Sequence, residues 1–295
     1  MKILITASFV FILVVSILNN LPDNYIHAPK GFDMFHKNIP HGTIDTIQYY
    51  SKTLGKKRKA NVYLPPKYSS RINYPVLYLL HGIGGDEKEW LRNGKLQIIL
   101  DNLYAENKIT SMIVVMPNGR AANDVVVKEN TLDKGIIQSF AAFEKDLLND
   151  LIPMVEEKYS VCPDQTHRAI AGLSMGGGQS LNFGLGNPGK FAWIGGFSSA
   201  SNTRSAKELL LNGDEAKEKI RLLWISCGSG DKMIEFSKRT HRYLVEKNVP
   251  HIYYIEPGRH DFRVWKNDLY FFSQLIFKGS DTSPFAKYSF ADSLK

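Results

Sequence analysis

The 295 residues contain only two cysteines, Cys162 and Cys227. They permit at most one disulfide, which excludes a scaffold stapled by cystines. Cys227 closes an apolar run and Cys162 lies in a loop, so both read as unpaired thiols. No two cysteines are close in sequence and the histidines lack ligand spacing, so no metal centre is expected. Neither a P-loop nor a dinucleotide-binding glycine pattern is present, and no cofactor is expected. Internal repeats are absent, as are linkers rich in Pro, Gly or Ser. Acidic residues are in deficit: 29 Asp and Glu face 37 Lys and Arg, a formal net charge of +8. The surplus is scattered apart from Lys56-Lys57-Arg58-Lys59. That run sits between two alternating segments and reads as a solvated hairpin turn. No nucleic-acid motif accompanies it, so no nucleic-acid partner is expected.

Long apolar runs are also scarce. The one at residues 3–18, after Lys2, is short for a membrane span and has the shape of a signal-peptide core. Residues 1–20 are therefore expected to be a signal peptide, with an uncleaved N-terminal anchor as the alternative. No cysteine lies near to carry a lipid. The expected locations are secreted or periplasmic, with no membrane contact beyond such an anchor. Residues 21–278 form the expected domain and 279–295 a polar C-terminal tail.

The rest is ordinary globular composition, 43% hydrophobic and 22% charged, in a chain long enough for one large domain. Thr43–Tyr50 and Ala60–Leu64 alternate and predict an antiparallel hairpin, stopped by Pro65-Pro66. Val76–Leu80 and Met112–Met116 are continuous apolar runs, predicting strands buried on both faces. Further strands are predicted at Ala169–Gly172, Ala192–Phe197, Leu222–Cys227 and His251–Ile255. Helices are predicted between them at about Lys95–Asn107, Phe140–Tyr159, Lys232–Lys247 and Trp265–Phe277. The alternation predicts an α/β fold: a mostly parallel central sheet with helices on both faces, preceded by the antiparallel hairpin. Residues 120–138 show no periodicity and read as a loop near the cleft.

Gly172-Leu173-Ser174-Met175-Gly176 joins a buried strand to a helical run. This is a G-x-S-x-G turn in its strand–turn–helix context, which lifts a serine hydroxyl above the sheet. It also aims the Met175 N–H and the helix N-terminus at an oxyanion formed there. A second donor belongs to the glycine-rich loop His81-Gly82-Ile83-Gly84-Gly85 at the end of another strand, and falls on Ile83. His81 itself reads as holding that loop by hydrogen bonds. A serine nucleophile needs a base, and the base an acid. Of the histidines after Ser174, His241 lies inside a helix and His251 opens a strand. Only His260 follows a strand's carboxyl end. By the same rule the acid is Asp231, with Glu256 its best competitor and Asp261 a structural hydrogen-bonder. Trp90 and Trp265 are candidate substrate contacts, with core packing the alternative for each.

Four motifs together carry a resemblance: Leu79-Leu80-His81-Gly82-Ile83-Gly84-Gly85, Gly172 to Gly178, Cys227-Gly228-Ser229-Gly230-Asp231, and His260-Asp261-Phe262-x-x-Trp265. The chain resembles the esterase D-like α/β-hydrolases, and within them the feruloyl esterases of carbohydrate esterase family 1, from about Thr43 to Phe277. The resemblance implies an α/β-hydrolase fold, a Ser174–Asp231–His260 triad and oxyanion amides at Ile83 and Met175. It also implies release of ferulic or related hydroxycinnamic acid from plant xylan, the partner being a feruloylated or acetylated polysaccharide or oligosaccharide. The same superfamily houses acetylxylan and siderophore esterases. A mycolyltransferase-like acyltransferase, passing the acyl group to a sugar hydroxyl, carries the same residue types.

Overall fold

A computed structural model describes residues 26–121, 134–210, 213–278 and 288–290. The expected signal segment, most of the loop at 120–138 and most of the tail lie outside the described residues. The chain opens with the antiparallel pair β1 (Thr43–Ser51) and β2 (Lys56–Leu64), and continues through β3 (Val76–Leu80). Helices α1 (Glu89–Arg92) and α2 (Leu96–Ala105) lead to β4 (Ile113–Pro117). Next come α3 (Lys134–Asp146), a π-helical turn (Leu147–Leu151) and α4 (Ile152–Lys158), then β5 (Arg168–Leu173) and α5 (Met175–Gly186). After β6 (Trp193–Phe197) come α6 (Ala206–Leu209), α7 (Gly213–Lys219) and β7 (Leu222–Gly228). The end is α8 (Ile234–Glu246), β8 (His251–Glu256), α9 (Phe262–Leu275) and β9 (Ser289–Phe290).

The strands form one sheet in the order β1-β2-β4-β3-β5-β6-β7-β8-β9. From β4 to β8 every pairing is parallel; β1–β2, β2–β4 and β8–β9 are antiparallel. Within the expected polar tail, Ser289–Phe290 thus adds an edge strand against His251 and Ile252. The two faces alternate as a pleated strand requires. Val76, Tyr78 and Leu80 pack on one side with Phe143, Leu147, Leu151, Val155 and Leu181 of the helices. Leu77 and Leu79 pack on the other with Leu96, Ile99, Leu100, Leu269 and Phe272. Both faces are covered, which is why the central strands are apolar throughout.

Two expectations are corrected. The basic run is not a solvated turn: the hairpin turns before it, and Lys56 to Lys59 pair in register with Ser51 to Gln48 inside the β1–β2 ladder. Arg58 faces inward and is buried, because Asp146 at the end of α3 supplies a buried counter-charge at 3.4 Å. The expected helix from Phe140 to Tyr159 starts earlier, at Lys134, and is interrupted by the π turn. Asp146, the last residue of α3, and Asp150 in the turn both face the hairpin. Tyr49 Oη donates to Asp146 at 2.6 Å, and Thr53 N–H donates to Asp150 at 3.0 Å.

Candidate active site

The carboxyl ends of β3, β5, β7 and β8 meet around Ser174. The serine follows β5 directly with φ 54° and ψ −116°, a left-handed backbone that a side chain rarely adopts. This strain is held by packing and by hydrogen bonds. A Cβ on Gly172 would stand 2.7 Å from the Gly176 backbone, and one on Gly176 would stand 2.6 Å from the His81 carbonyl oxygen. Both positions therefore have to be glycine for strand, loop and helix to approach so closely. Ser174 N–H donates to the Phe197 carbonyl at 2.9 Å, and the Ala200 N–H donates to the Ser174 carbonyl at 3.0 Å.

Asp231 lies in the turn after β7 and His260 in the loop after β8. The His260 Nδ1 proton is donated to Asp231 Oδ2 at 2.7 Å, which leaves Nε2 to accept the Ser174 hydroxyl at 2.9 Å. The Asp231 side chain is fully buried, whereas the His260 side chain is 33% exposed and so reachable from the cleft. Burial pushes the Asp231 carboxyl up, but His260, the Met233 N–H and Ser198 outweigh it and hold the group below its ordinary value. Met233 N–H makes its bond to Oδ1 at 2.7 Å, so each carboxylate oxygen has its own donor. Such an acid stays ionised, fixes the imidazole tautomer and can stabilise an imidazolium. Trp265 packs edge-on against His260, with ring centroids 4.9 Å apart.

The loop after β3 faces the serine. Gly85 N–H closes a turn on the Gly82 carbonyl at 3.1 Å. His81 Nδ1–H donates to the same carbonyl at 2.7 Å, and His81 Nε2 accepts the Gly119 N–H at 2.8 Å. Burial pushes the His81 imidazole down to about 4, so it is neutral and can play both parts. Gln179 grips Gly119 from the other side by donating to its carbonyl at 2.8 Å. Met175, as the first residue of α5, has an N–H with no acceptor inside the helix. Met175, the residue after Ser174, belongs to a small apolar cluster: Ile136, Phe140, Met175 and Ala200 are buried, while Ile83, Ile137 and Met233 are partly open.

The structure thus brings Ser174, Asp231 and His260 together in hydrogen-bonding order and sets the Ile83 loop beside them. Both tryptophans are buried. Trp90 is 1% exposed, donates its Nε1–H to the Leu80 carbonyl at 3.0 Å and stacks edge-on with Phe197 and Phe262. It belongs to the core behind the loop. Trp265 is buried beneath His260. Glu256 accepts from Asn267 at 2.9 Å, away from the His260 ring, and Asp261 caps α9 through the Arg263 and Val264 N–H groups. His241 and His251 bond to each other at 2.8 Å in a separate cluster. Sequence reasoning missed Glu89, whose carboxylate accepts the Gly82 N–H at 2.8 Å, and Met233, whose position two residues after Asp231 was the available signal. Both cysteines are free. Among the described residues no cluster of His, Cys, Asp and Glu is fit for a metal ion. A groove of about 380 Å³ beside Arg168 opens at the other end of β5 and takes no part in this arrangement.

The family model for Esterase matches residues 51–272. Among curated proteins, the chain is 32% identical over 256 residues to the endo-1,4-beta-xylanase/feruloyl esterase of Xylanibacter ruminicola, covering 84% of this chain and 33% of that protein. It is 32% identical over 131 residues to endo-1,4-beta-xylanase Y of Acetivibrio thermocellus, covering 41% of this chain and 11% of that one. The chain therefore spans a third or less of the length of these relatives. Among solved structures, the CE1 ferulic acid esterase of Anaeromyces mucronatus in complex with ferulic acid superposes with a TM-score of 0.76 at 27% identity, covering 86% of this chain and 97% of that one. The shared architecture is the α/β-hydrolase fold.

Proposed function

The chain belongs to the Esterase family and is a feruloyl esterase-like serine ester hydrolase, and from that premise we propose that it releases ferulic or a related hydroxycinnamic acid from plant xylan side chains. Ser174 is the nucleophile, His260 the base and Asp231 the acid that orients it. The Ser174 hydroxyl passes its proton to His260 Nε2 as Oγ bonds to the ester carbonyl carbon. The Ile83 and Met175 N–H groups stabilise the oxyanion. The tetrahedral adduct collapses, the sugar alcohol leaves with the His260 proton, and an acyl-enzyme remains. Water, deprotonated by His260, repeats the sequence and frees the carboxylic acid and Ser174.

The observation that carries the substrate class is the apolar cluster that includes Met175, the residue after Ser174. Ile83, Ile137 and Met233 offer partly exposed surface that a phenyl ring would cover and an acetyl group would leave wet. We place the enzyme outside the cytoplasm, on the signal-like run at residues 3–18, with the catalytic domain over 21–278 and a tail over 279–295 that returns the strand Ser289–Phe290 to the domain's sheet.

The test is steady-state hydrolysis of methyl ferulate beside a short-chain acetyl ester, in wild type and in Ser174→Ala. A higher kcat/KM on methyl ferulate, abolished in the variant, is expected. Met233→Ala should lower kcat/KM on the ferulate roughly fivefold while leaving the acetyl ester nearly unchanged, by loss of apolar contact. Preference for the acetyl ester would move the reading to deacetylation. Transfer of the acyl group to an added sugar in place of water would move it to acyl transfer.

A further inference from the structure

We propose that Glu89 is a positioning residue for catalysis, its carboxylate setting the backbone that presents the Ile83 N–H to the oxyanion. The inference rests on the reading of Ile83 as an oxyanion donor.

Glu89 Oε2 accepts the Gly82 N–H at 2.8 Å. The carbonyl of the same residue accepts His81 Nδ1–H at 2.7 Å and the Gly85 N–H at 3.1 Å. Gly82 is therefore pinned on both flanking peptide units. The second of these units contains the Ile83 N–H. A peptide is planar and trans, so fixing the direction of the Gly82 carbonyl fixes that N–H in the opposite direction. The first unit fixes where the second begins.

Gly85 shows that the carboxylate is seated in the loop. A Cβ at this position would stand 2.2 Å from Glu89 Oε2 and 3.0 Å from the His81 Cβ. The absent side chain is the space that Glu89 occupies. Trp90 secures the same short helix from the next position, through its bond to the Leu80 carbonyl at 3.0 Å. The stretch from His81 to Trp90 is thus a closed clamp in which His81 and Glu89 grip Gly82 from opposite sides. Burial also raises the Glu89 carboxyl above its ordinary value, as expected of an acid withdrawn from water beside Asp86. Its function here is to accept a hydrogen bond, which needs an oxygen and not a net charge.

The experiment compares Glu89→Ala, which removes the acceptor, with Glu89→Gln, which keeps an acceptor oxygen without charge. Each is measured on methyl ferulate and against a trifluoromethyl ketone, whose serine hemiketal places an oxyanion in the same site. Glu89→Ala is expected to lose roughly tenfold to a hundredfold in kcat with KM within about twofold, and to bind the ketone correspondingly more weakly. Glu89→Gln is expected to keep at least about a third of wild-type kcat and ketone affinity. The proposal is overturned by wild-type kcat in Glu89→Ala, by equal losses in both variants, or by a kcat loss without weaker ketone binding. If Glu89→Ala does not fold, Glu89→Gln decides alone: a tenfold loss of kcat and ketone affinity overturns the proposal, and retention supports it. Activity surviving in Ser174→Ala would instead sink the underlying reading of the site.

Discussion

Arg58 and Asp146 face each other at 3.4 Å with side chains 5% and 0% exposed, a charge pair buried between the hairpin and the end of α3. Neither charge has water to turn to. Tyr49 Oη shares the Asp146 carboxylate at 2.6 Å, and Arg58 also donates to the Asn118 carbonyl beside the Gly119 loop. The pair therefore ties the edge of the sheet to a segment that borders the active site.

Arg58→Met should destabilise the protein by about 3–5 kcal/mol, because it leaves the Asp146 carboxylate buried without its partner. Urea unfolding measures this. The double variant Arg58→Met/Asp146→Leu should recover much of the loss, since neither charge then remains. A single variant as stable as wild type would show that Asp146 is satisfied by Tyr49 alone.

Gly176→Ala places a methyl group 2.6 Å from the His81 carbonyl oxygen and 2.7 Å from that of Leu80. Those atoms are backbone and cannot step aside. The expected result is a folded but less stable protein with kcat reduced roughly a hundredfold, since an ångström of displacement at the elbow suffices for that. A thermal melt beside a kcat measurement checks it. Near-normal kcat would mean that the β3 loop can retreat without cost to the chemistry.

Asp231→Asn should lower kcat by roughly 10⁴, because the amide no longer enforces the Nδ1–H tautomer of His260. The same variant has a pH signature. The Asp231 carboxyl is held below its ordinary value of 3.8, so the stability it contributes is full above 3.8 and is lost as pH falls through the lower folded value. Removing it should shrink the difference in unfolding free energy between pH 7 and pH 3. An unchanged difference would contradict the depressed acid.

Glu256 works in the opposite direction. Burial pushes its carboxyl from 4.5 up to about 7, with Asn267 and Arg263 opposing and Asp261 assisting. The neighbouring buried Asp268 is raised as well, by burial first and then by Glu256. His27 lies 3.7 Å away on the solvent side. A raised acid stabilises the fold below pH 4.5, and that contribution is lost as pH climbs through about 7. Glu256→Gln should therefore flatten the decline in stability between those values, read as melting temperature against pH. A slope equal to that of wild type would place the proton elsewhere in the pair.

The strands and the loops that carry Ser174, Asp231 and His260 were legible in the sequence because each depends on a local pattern. Val76–Leu80 had to be buried on both faces, and Gly172 and Gly176 flank a serine that only such a turn could present. His260 and Asp231 were picked out by a rule about strand ends, and the structure hydrogen-bonds them to each other. Arg58 was misjudged because its partner lies 88 positions further along, and a run of four basic residues gives no sign that one of them faces inward. For Trp90 ligand contact and core packing both stayed open, since nothing nearby in sequence shows that its ring packs on Phe197 and Phe262. Glu89 went unnoticed because its task is to hold a backbone N–H, which any acceptor of the right length could do.

What the sequence by itself determined is the succession of the strands from β1 to β8 with the main helices between them, the strained turn at Ser174 and the order of Ser174, Asp231 and His260 along the chain. These follow from apolar periodicity and from the conformations open to glycine, which act over a few residues. Only the tertiary structure decided that β4 lies outside β3, that the hairpin docks on the π turn, and that His260 reaches across 86 residues to lie 2.9 Å from Ser174. Such contacts depend on sheet register and on burial of both faces at once, and those are properties of the whole packed chain.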